Sequence, residues 1–161
     1  MTELYLLRHA HAGDPLAWRG RDEDRPLSGK GERQAERLGV FLASVRFSPD
    51  VFITSPKVRA ARTAEIVAGH LGINVTVDDR LATGFDLETL ERILVDAGGP
   101  ARPVIVGHDP DFSELLAILS GASDLPMRKG AFALVDAERP LAAGAGTLRW
   151  LVPPDLLKPE R

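Results

Sequence analysis

Short apolar runs alternate with amphipathic helical stripes along this chain, and that order restricts its fold more than any other feature. Leu4-Tyr5-Leu6-Leu7, Val51-Phe52-Ile53 and Pro103–Val106 read as buried strands. Ser28 is a plausible N-cap, and after it Ala35, Leu38, Phe41, Leu42 and Val45 follow a helical stripe. Ser55-Pro56 predicts a second helix, with Ser at the N-cap and Pro in the first helical position, running to about Gly69. Residues 73–77 are strand-like. Leu87, Leu90, Leu94 and Ala97 mark a third helix, stopped by Gly98-Gly99-Pro100. Asp111-x-x-Glu114 opens a fourth, with Phe112, Leu115, Leu116 and Leu119 on its apolar face. Ala131–Val135 and Thr147–Val152 predict a closing antiparallel pair, and the proline-rich tail from Pro153 is expected to be loosely held.

This order predicts an α/β three-layer sandwich, a mostly parallel central sheet with helices on both faces. The 161 residues suit a single domain over 1–161, long enough to bury a core without staples. No repeat, low-complexity block or linker divides the chain.

Composition narrows the chemistry. The chain has no cysteine. Disulfide frameworks, Cys-ligated zinc, iron–sulfur clusters and thiolate nucleophiles are therefore excluded, and with them the cysteine proteases and phosphatases. A net charge of -3 argues against a nonspecific nucleic-acid partner. The first apolar run meets Arg8 at once, unlike a secretory leader. No stretch approaches the roughly 18 apolar residues of a membrane span. The expectation is a cytoplasmic protein with neither membrane nor nucleic-acid partner. Its cations are 16 Arg against 4 Lys, planar permanent charges suited to anions.

In open α/β sheets, ligands sit at the carboxyl ends of the strands. There the first strand offers Arg8-His9-Ala10-His11. The second offers Thr54-Ser55, with Arg59 in the following helix, and the third offers Gly107-His108-Asp109. Two arginines and two histidines on one rim suit a phosphoryl group, which arginine binds through bidentate, charge-assisted hydrogen bonds. The helix start near Arg59 adds free N–H groups and a positive dipole end. A histidine among arginines resists protonation, so its pKa is expected to fall. The neutral imidazole of His9 could then attack phosphorus and carry the group as phosphohistidine, while Arg8, Arg59 and His108 stabilise the charge. Each residue alone has a plainer reading. Arg8 and His9 could be a surface-satisfied pair, Arg59 a solvated helix residue and His108 a helix-entry residue.

Leu6-Leu7-Arg8-His9-Ala10 resembles the Arg-His-Gly signature of the histidine phosphatase (phosphoglycerate-mutase-like) superfamily. Ser55-Pro56-x-x-Arg59-Ala60-x-x-Thr63-Ala64 resembles its second arginine motif, and Val106-Gly107-His108-Asp109-Pro110 its second histidine motif. Pro26-Leu27-Ser28-x-x-Gly31-x-x-Gln34-Ala35 resembles its first helix. The short chain is similar to the small phosphohistidine phosphatase branch, which dephosphorylates histidine on phosphorelay proteins. The resemblance implies His9 as nucleophile, Arg8 and Arg59 as phosphate ligands, and His108 as support for the transferring group. Cofactor and metal are not expected.

Three positions depart from the pattern. Ala10 replaces the usual Gly, which is tolerable where φ is not positive. Arg62 replaces a common Gln, as a further substrate-binding cation or a solvent-facing one. The segment Leu81-Ala82-Thr83-Gly84 resembles the one that carries a Glu general acid in many members, and here that position is Ala82. Asp14, Asp24 and Asp86 are the candidate substitutes. A missing acid favours phosphoramidates, because an imidazole leaving group departs more readily than an alcohol. The short chain leaves little material for a lid, so an open site suits phosphohistidine on a partner protein.

Other readings stay open. Sugar-phosphate or nucleotide esters are an alternative substrate class within the family. His9-x-His11, with His108 or Asp109, could hold a hydrolytic metal. A non-catalytic binder of phosphorylated partners is a third. His70 reads as a helix-end residue, Trp18 as an entrance or surface residue beside Arg19, Arg21 and Arg25, and Trp150 as cover for the sheet edge or core. Lys30, Lys57 and Lys129 read as solvated surface.

Overall fold

A computed structural model describes residues 1–159 of the chain. Its strands are β1 (Thr2–Arg8), β2 (Val51–Thr54), β3 (Thr76–Val77), β4 (Pro103–Gly107), β5 (Phe132–Ala137) and β6 (Gly146–Val152). Its helices are α1 (Gly29–Ser44), α2 (Val58–Leu71), α3 (Leu87–Asp96) and α4 (Asp111–Ser120). The six strands form one sheet in the order β3-β2-β4-β1-β5-β6. The first four run parallel, and β5 and β6 are antiparallel.

Alternation along the strands assigns the two faces. Leu4, Leu6, Ile53 and Ile105 point into a core closed by α3 and α4 through Leu90, Leu94, Phe112 and Leu116. Tyr5, Leu7, Phe52, Val104 and Val106 point to the other face, closed by α1 and α2 through Ala35, Leu38, Leu42, Ala60 and Val67. Period-two side chains on strands between two helical layers give the expected sandwich. Among the described residues no helix is long and apolar enough to cross a membrane.

Several boundaries differ from expectation. The buried stripe of α1 is narrower, since Phe41 and Val45 are 42% and 57% exposed. They lie at its margin, beside Tyr5, Phe47, Phe132 and Trp150, where β5 and β6 extend past the helical cover. Trp150 packs 5.4 Å from Phe132, between ring centroids. Ser55 does not cap α2, which begins at Val58 after Lys57. The strand predicted over 73–77 is reduced to Thr76–Val77 at the sheet edge. Asp111 starts α4 without capping it. Instead the Asp109 carboxylate accepts from Ser113 N at 3.0 Å and Ser113 Oγ at 2.6 Å, binding the entry of α4 to its first turn. The tail is held more firmly than expected. Residues Pro154–Leu157 form a 3-10 turn, Pro154 is buried, and Leu157 packs on the α1–α2 core. Residues 160 and 161 of that tail lie outside the described residues.

Gly31 fixes α1 against the chain leaving β1. Ser28 caps the helix by accepting from Gly31 N at 3.1 Å, and the Ser28 hydroxyl also donates to His11 O at 3.1 Å. A Cβ on Gly31 would stand 1.9 Å from His11 O, a backbone atom that cannot rotate away. Gly31→Ala is therefore expected to destabilise the fold by about 1–3 kcal/mol or more, as overpacking does. Thermal unfolding reads this directly, and Gly29→Ala, whose Cβ meets only the Arg33 side chain at 3.4 Å, serves as the control.

Candidate active site

The parallel register brings the three strand ends together. β4 lies between β1 and β2, with Gly107 opposite Arg8 and Val106 opposite Thr54. One residue further, His9 N donates to Gly107 O and Ser55 N to Val106 O, both at 3.0 Å. His9, Ser55 and His108 are thereby side by side. The His9 and His108 ring centroids are 5.2 Å apart, and both residues are buried.

Hydrogen bonds fix the His9 tautomer. Nδ1 lies 2.7 Å from Ala10 O. A carbonyl can only accept, so Nδ1 carries the hydrogen and Nε2 keeps its lone pair. Burial pushes the His9 pKa down to about 3; the Ala10 bond opposes this, and the charges of Arg59, Arg8 and Lys129 reinforce it. The depressed value is as expected, but burial outweighs the arginines as its cause. His108 is pushed down to about 2, again first by burial and then by His9, Lys57 and Arg59. Its Nε2 is 2.7 Å from Ser55 Oγ, which accepts from Lys57 N at 3.3 Å. With the Ser55 hydrogen directed to Nε2, His108 presents Nδ1–H to the site.

These depressed values carry a stability consequence. Between pH 6.5 and about 3 the unfolded chain takes up protons that folded His9 and His108 refuse. Stability is thus expected to fall as pH drops below 6.5. Urea midpoints at pH 7 and pH 5, above the range where most carboxylates titrate, should show the drop, and His9→Gln should shrink it.

The two arginines arrive from different elements. Arg8 donates from Nη1 to Met127 O at 2.7 Å and pairs with Asp109 at 3.2 Å. Arg59, 6% exposed in the first turn of α2, donates to Asp22 O at 2.8 Å and to Asp22 Oδ2 at 2.9 Å. Partial burial acts to raise the Asp22 pKa, yet Arg59 and Arg25 hold that carboxyl below its ordinary range. Thr63 joins the two motifs, since its Oγ1 accepts from Ala10 N at 3.0 Å and donates to Arg59 O at 2.7 Å. Ala10 is fully buried and not at positive φ, so the methyl in place of the usual glycine is accommodated.

Three buried nitrogens lack a hydrogen-bond partner among the described residues: Arg8 Nε, Arg59 Nε and His108 Nδ1. All belong to this cluster. A buried unpaired donor costs about 1–3 kcal/mol, a cost that an anion accepting from these nitrogens would relieve.

Other candidates are placed elsewhere. Arg62 is half exposed and forks onto Glu32 at 3.1 and 3.2 Å, so its guanidinium is engaged at the α1–α2 surface rather than on the rim. Asp14, Asp24 and Asp86 are all exposed. Asp14 accepts from Leu16 N, and Asp86 caps α3 through Thr89 N. None of the three is buried against His9. His11 turns its Nδ1 to Ser28 Oγ at 2.6 Å. Among the described residues no group of three or more His, Cys, Asp or Glu could hold a metal ion. His70 sits in the last turn of α2 and meets Glu36 at 2.9 Å. Trp18 donates to Arg21 O at 2.8 Å and flanks a shallow cleft with Ala12, Gly13 and Arg25.

Sequence reasoning missed three residues here and misread the role of a fourth. Ser55 looked like a cap and instead orients His108. Asp22 lies in a charged loop without periodicity, where no sequence signal places one carboxylate over another. Lys57 and Lys129 were assigned to solvent, yet their charges bear on His108 and His9 respectively. Lys129 was legible in principle. The start of an antiparallel strand lies at the carboxyl end of its neighbour, and Lys129 stands three residues before Phe132, the first residue of β5, which pairs with β1.

Comparison with known proteins agrees with this geometry. The histidine phosphatase superfamily (branch 1) matches residues 4–92. An uncharacterized protein of Picosynechococcus is 38% identical over 117 residues, 70% of this chain and 69% of that protein. A probable phosphoglycerate mutase, GpmB, of Salmonella choleraesuis is 35% identical over 98 residues. That match covers 60% of this chain and 44% of GpmB, so the chain spans under half the length of that relative. The structure of the protein histidine phosphatase SixA complexed with tungstate superposes with a TM-score of 0.84 at 24% identity, covering 98% of this chain and 100% of that one. At this identity the likeness is one of fold.

Proposed function

Since the chain belongs to the histidine phosphatase superfamily, we propose that it is a metal-independent phosphatase that removes phosphate from phosphohistidine on a partner protein, through a covalent intermediate on His9. The observation that carries this reading is the set of unpaired buried donors around His9. In the first step His9 Nε2 attacks phosphorus. The new N–P bond forms as the bond to the substrate's imidazole nitrogen breaks. Arg8, Arg59 and His108 Nδ1–H hold the peripheral oxygens in preorganised positions. In the second step water attacks the phosphoryl group on His9, inorganic phosphate leaves, and His9 is regenerated as the neutral imidazole. Asp22 now occupies the Arg59 terminal nitrogens, so an incoming phosphoryl group competes with that carboxylate.

The substrate class follows from protons. Both histidines are neutral near pH 7, so neither carries a spare proton for an alkoxide. The three aspartates weighed as acids are exposed. An imidazole leaving group needs that proton least. The similarity of SixA, a protein histidine phosphatase, supports the same substrate class.

The test compares a phosphohistidine peptide with alkyl phosphates, in the presence of chelator. The expected result is faster turnover of the phosphohistidine, with no loss of kcat/KM from protonation of His9 between pH 7 and pH 5, since His9 stays neutral down to about pH 3. Faster cleavage of the alkyl phosphates would assign the site to small phosphate esters instead. Loss of activity with chelator and return with zinc would favour metal-dependent hydrolysis.

A further inference from the structure

We propose that Lys129 is a phosphoryl-binding residue, a fourth ligand beside Arg8, Arg59 and His108 that closes the anion site from the β5 side; this rests on the phosphatase reading of His9. Its backbone position is fixed by the nucleophile's own segment. Met127 O accepts from Arg8 Nη1, while Gly130 N donates to Arg8 O and His9 O at 3.1 and 2.9 Å. Lys129 lies between these anchors. Gly130 has φ +82, a left-handed conformation suited to glycine, which lets the chain turn into β5 directly over the site.

The side chain is half-buried, unlike a solvated surface lysine. Burial lowers its pKa, and the charges of Arg8, Arg25 and Arg59 lower it further; Asp14 opposes them weakly. A cation held among three arginines is stabilised only when an anion joins them. The three arginines already have fixed partners. Arg8 is paired with Asp109, Arg59 with Asp22, and Arg25 with Asp22 and Ala12 O. Lys129 has no ion-pair or hydrogen-bond partner among the described residues. Its ammonium offers three donors on a flexible stem, so it can follow a phosphoryl oxygen as the group passes between substrate and His9.

The experiment measures the dissociation constant of inorganic phosphate by calorimetry for wild type, Lys129→Met and Lys129→Arg. Alongside it run kcat and KM for a phosphohistidine peptide and the melting temperature without phosphate. Lys129→Met is expected to weaken phosphate binding about tenfold or more and to raise KM more than it lowers kcat. Its melting temperature without phosphate should be unchanged or higher, since like-charge repulsion is relieved. Lys129→Arg should recover most of the affinity. Should Lys129→Met fail to fold, Lys129→Gln gives the same reading. Wild-type phosphate affinity in the neutral variants overturns the assignment. So does a lower melting temperature with unchanged KM, the mark of a purely structural lysine. The two proposals fail separately. Weakened phosphate binding in a protein without turnover keeps Lys129 and discards the phosphatase reading. Normal turnover with unaffected phosphate binding does the reverse.

Discussion

His9→Ala is expected to lower turnover of a phosphohistidine substrate by about 10⁴-fold or more, the scale set when a nucleophile is removed from a cooperative site. No other group near phosphorus replaces it. The chain has no thiolate, and His108 turns its Nε2 to Ser55. The variant should still fold. The side chain makes one hydrogen bond, to its neighbour's carbonyl, while the backbone N–H that joins β1 to β4 is untouched. Phosphate should still bind, because the arginines remain, and binding without turnover separates loss of chemistry from loss of structure. A variant with near-normal turnover would place the nucleophile elsewhere. If wild type and variant alike bind phosphorylated protein but hydrolyse nothing, the chain is a binder.

Arg59→Met carries the second largest effect. Arg59 has a buried, unpaired Nε, and its two terminal nitrogens are hydrogen-bonded to Asp22. Removing one preorganised donor to developing charge costs about 10²–10³ in kcat. The methionine keeps most of the buried volume, so packing on α2 changes little. It also leaves Asp22 without its strongest partner, and the Asp22 carboxyl should then titrate closer to its ordinary range. Arg62→Met is the internal comparison. That guanidinium is engaged by Glu32 at the surface, and its loss is expected to change kcat by less than about threefold, in keeping with the small energies of exposed ion pairs. Equal losses in the two variants would return Arg62 to the site.

The sequence made the centre of this site legible because parallel strands deliver their ends to one place. Arg8-His9, Ser55 and Gly107-His108 each follow an apolar run, and strand adjacency then brings them together without further information. Arg59 was legible from its place in the first turn of the next helix. What surrounds them was not. Asp22 acts across 37 residues of chain from a loop whose path no periodicity specifies. Arg62 faces Glu32 because α1 and α2 pack side by side, a tertiary fact that outweighs its nearness in sequence to Arg59. Ser55 followed by Pro56 carries the signature of a helix start, yet its hydroxyl serves His108 and α2 begins later. Phe41 and Val45 fit the α1 stripe but lie where the helical layer ends. In each case the environment was decided by elements distant in the chain.

The central claim is that the phosphoryl group passes through His9. Its most direct test is rapid quenching of a single turnover with a substrate labelled on phosphorus, followed by peptide mapping of the enzyme. The expected result is label on the His9 peptide, stable to base and released by acid, rising before inorganic phosphate appears and decaying as it accumulates. Phosphate released at full rate with no label on His9 at any time would contradict the claim.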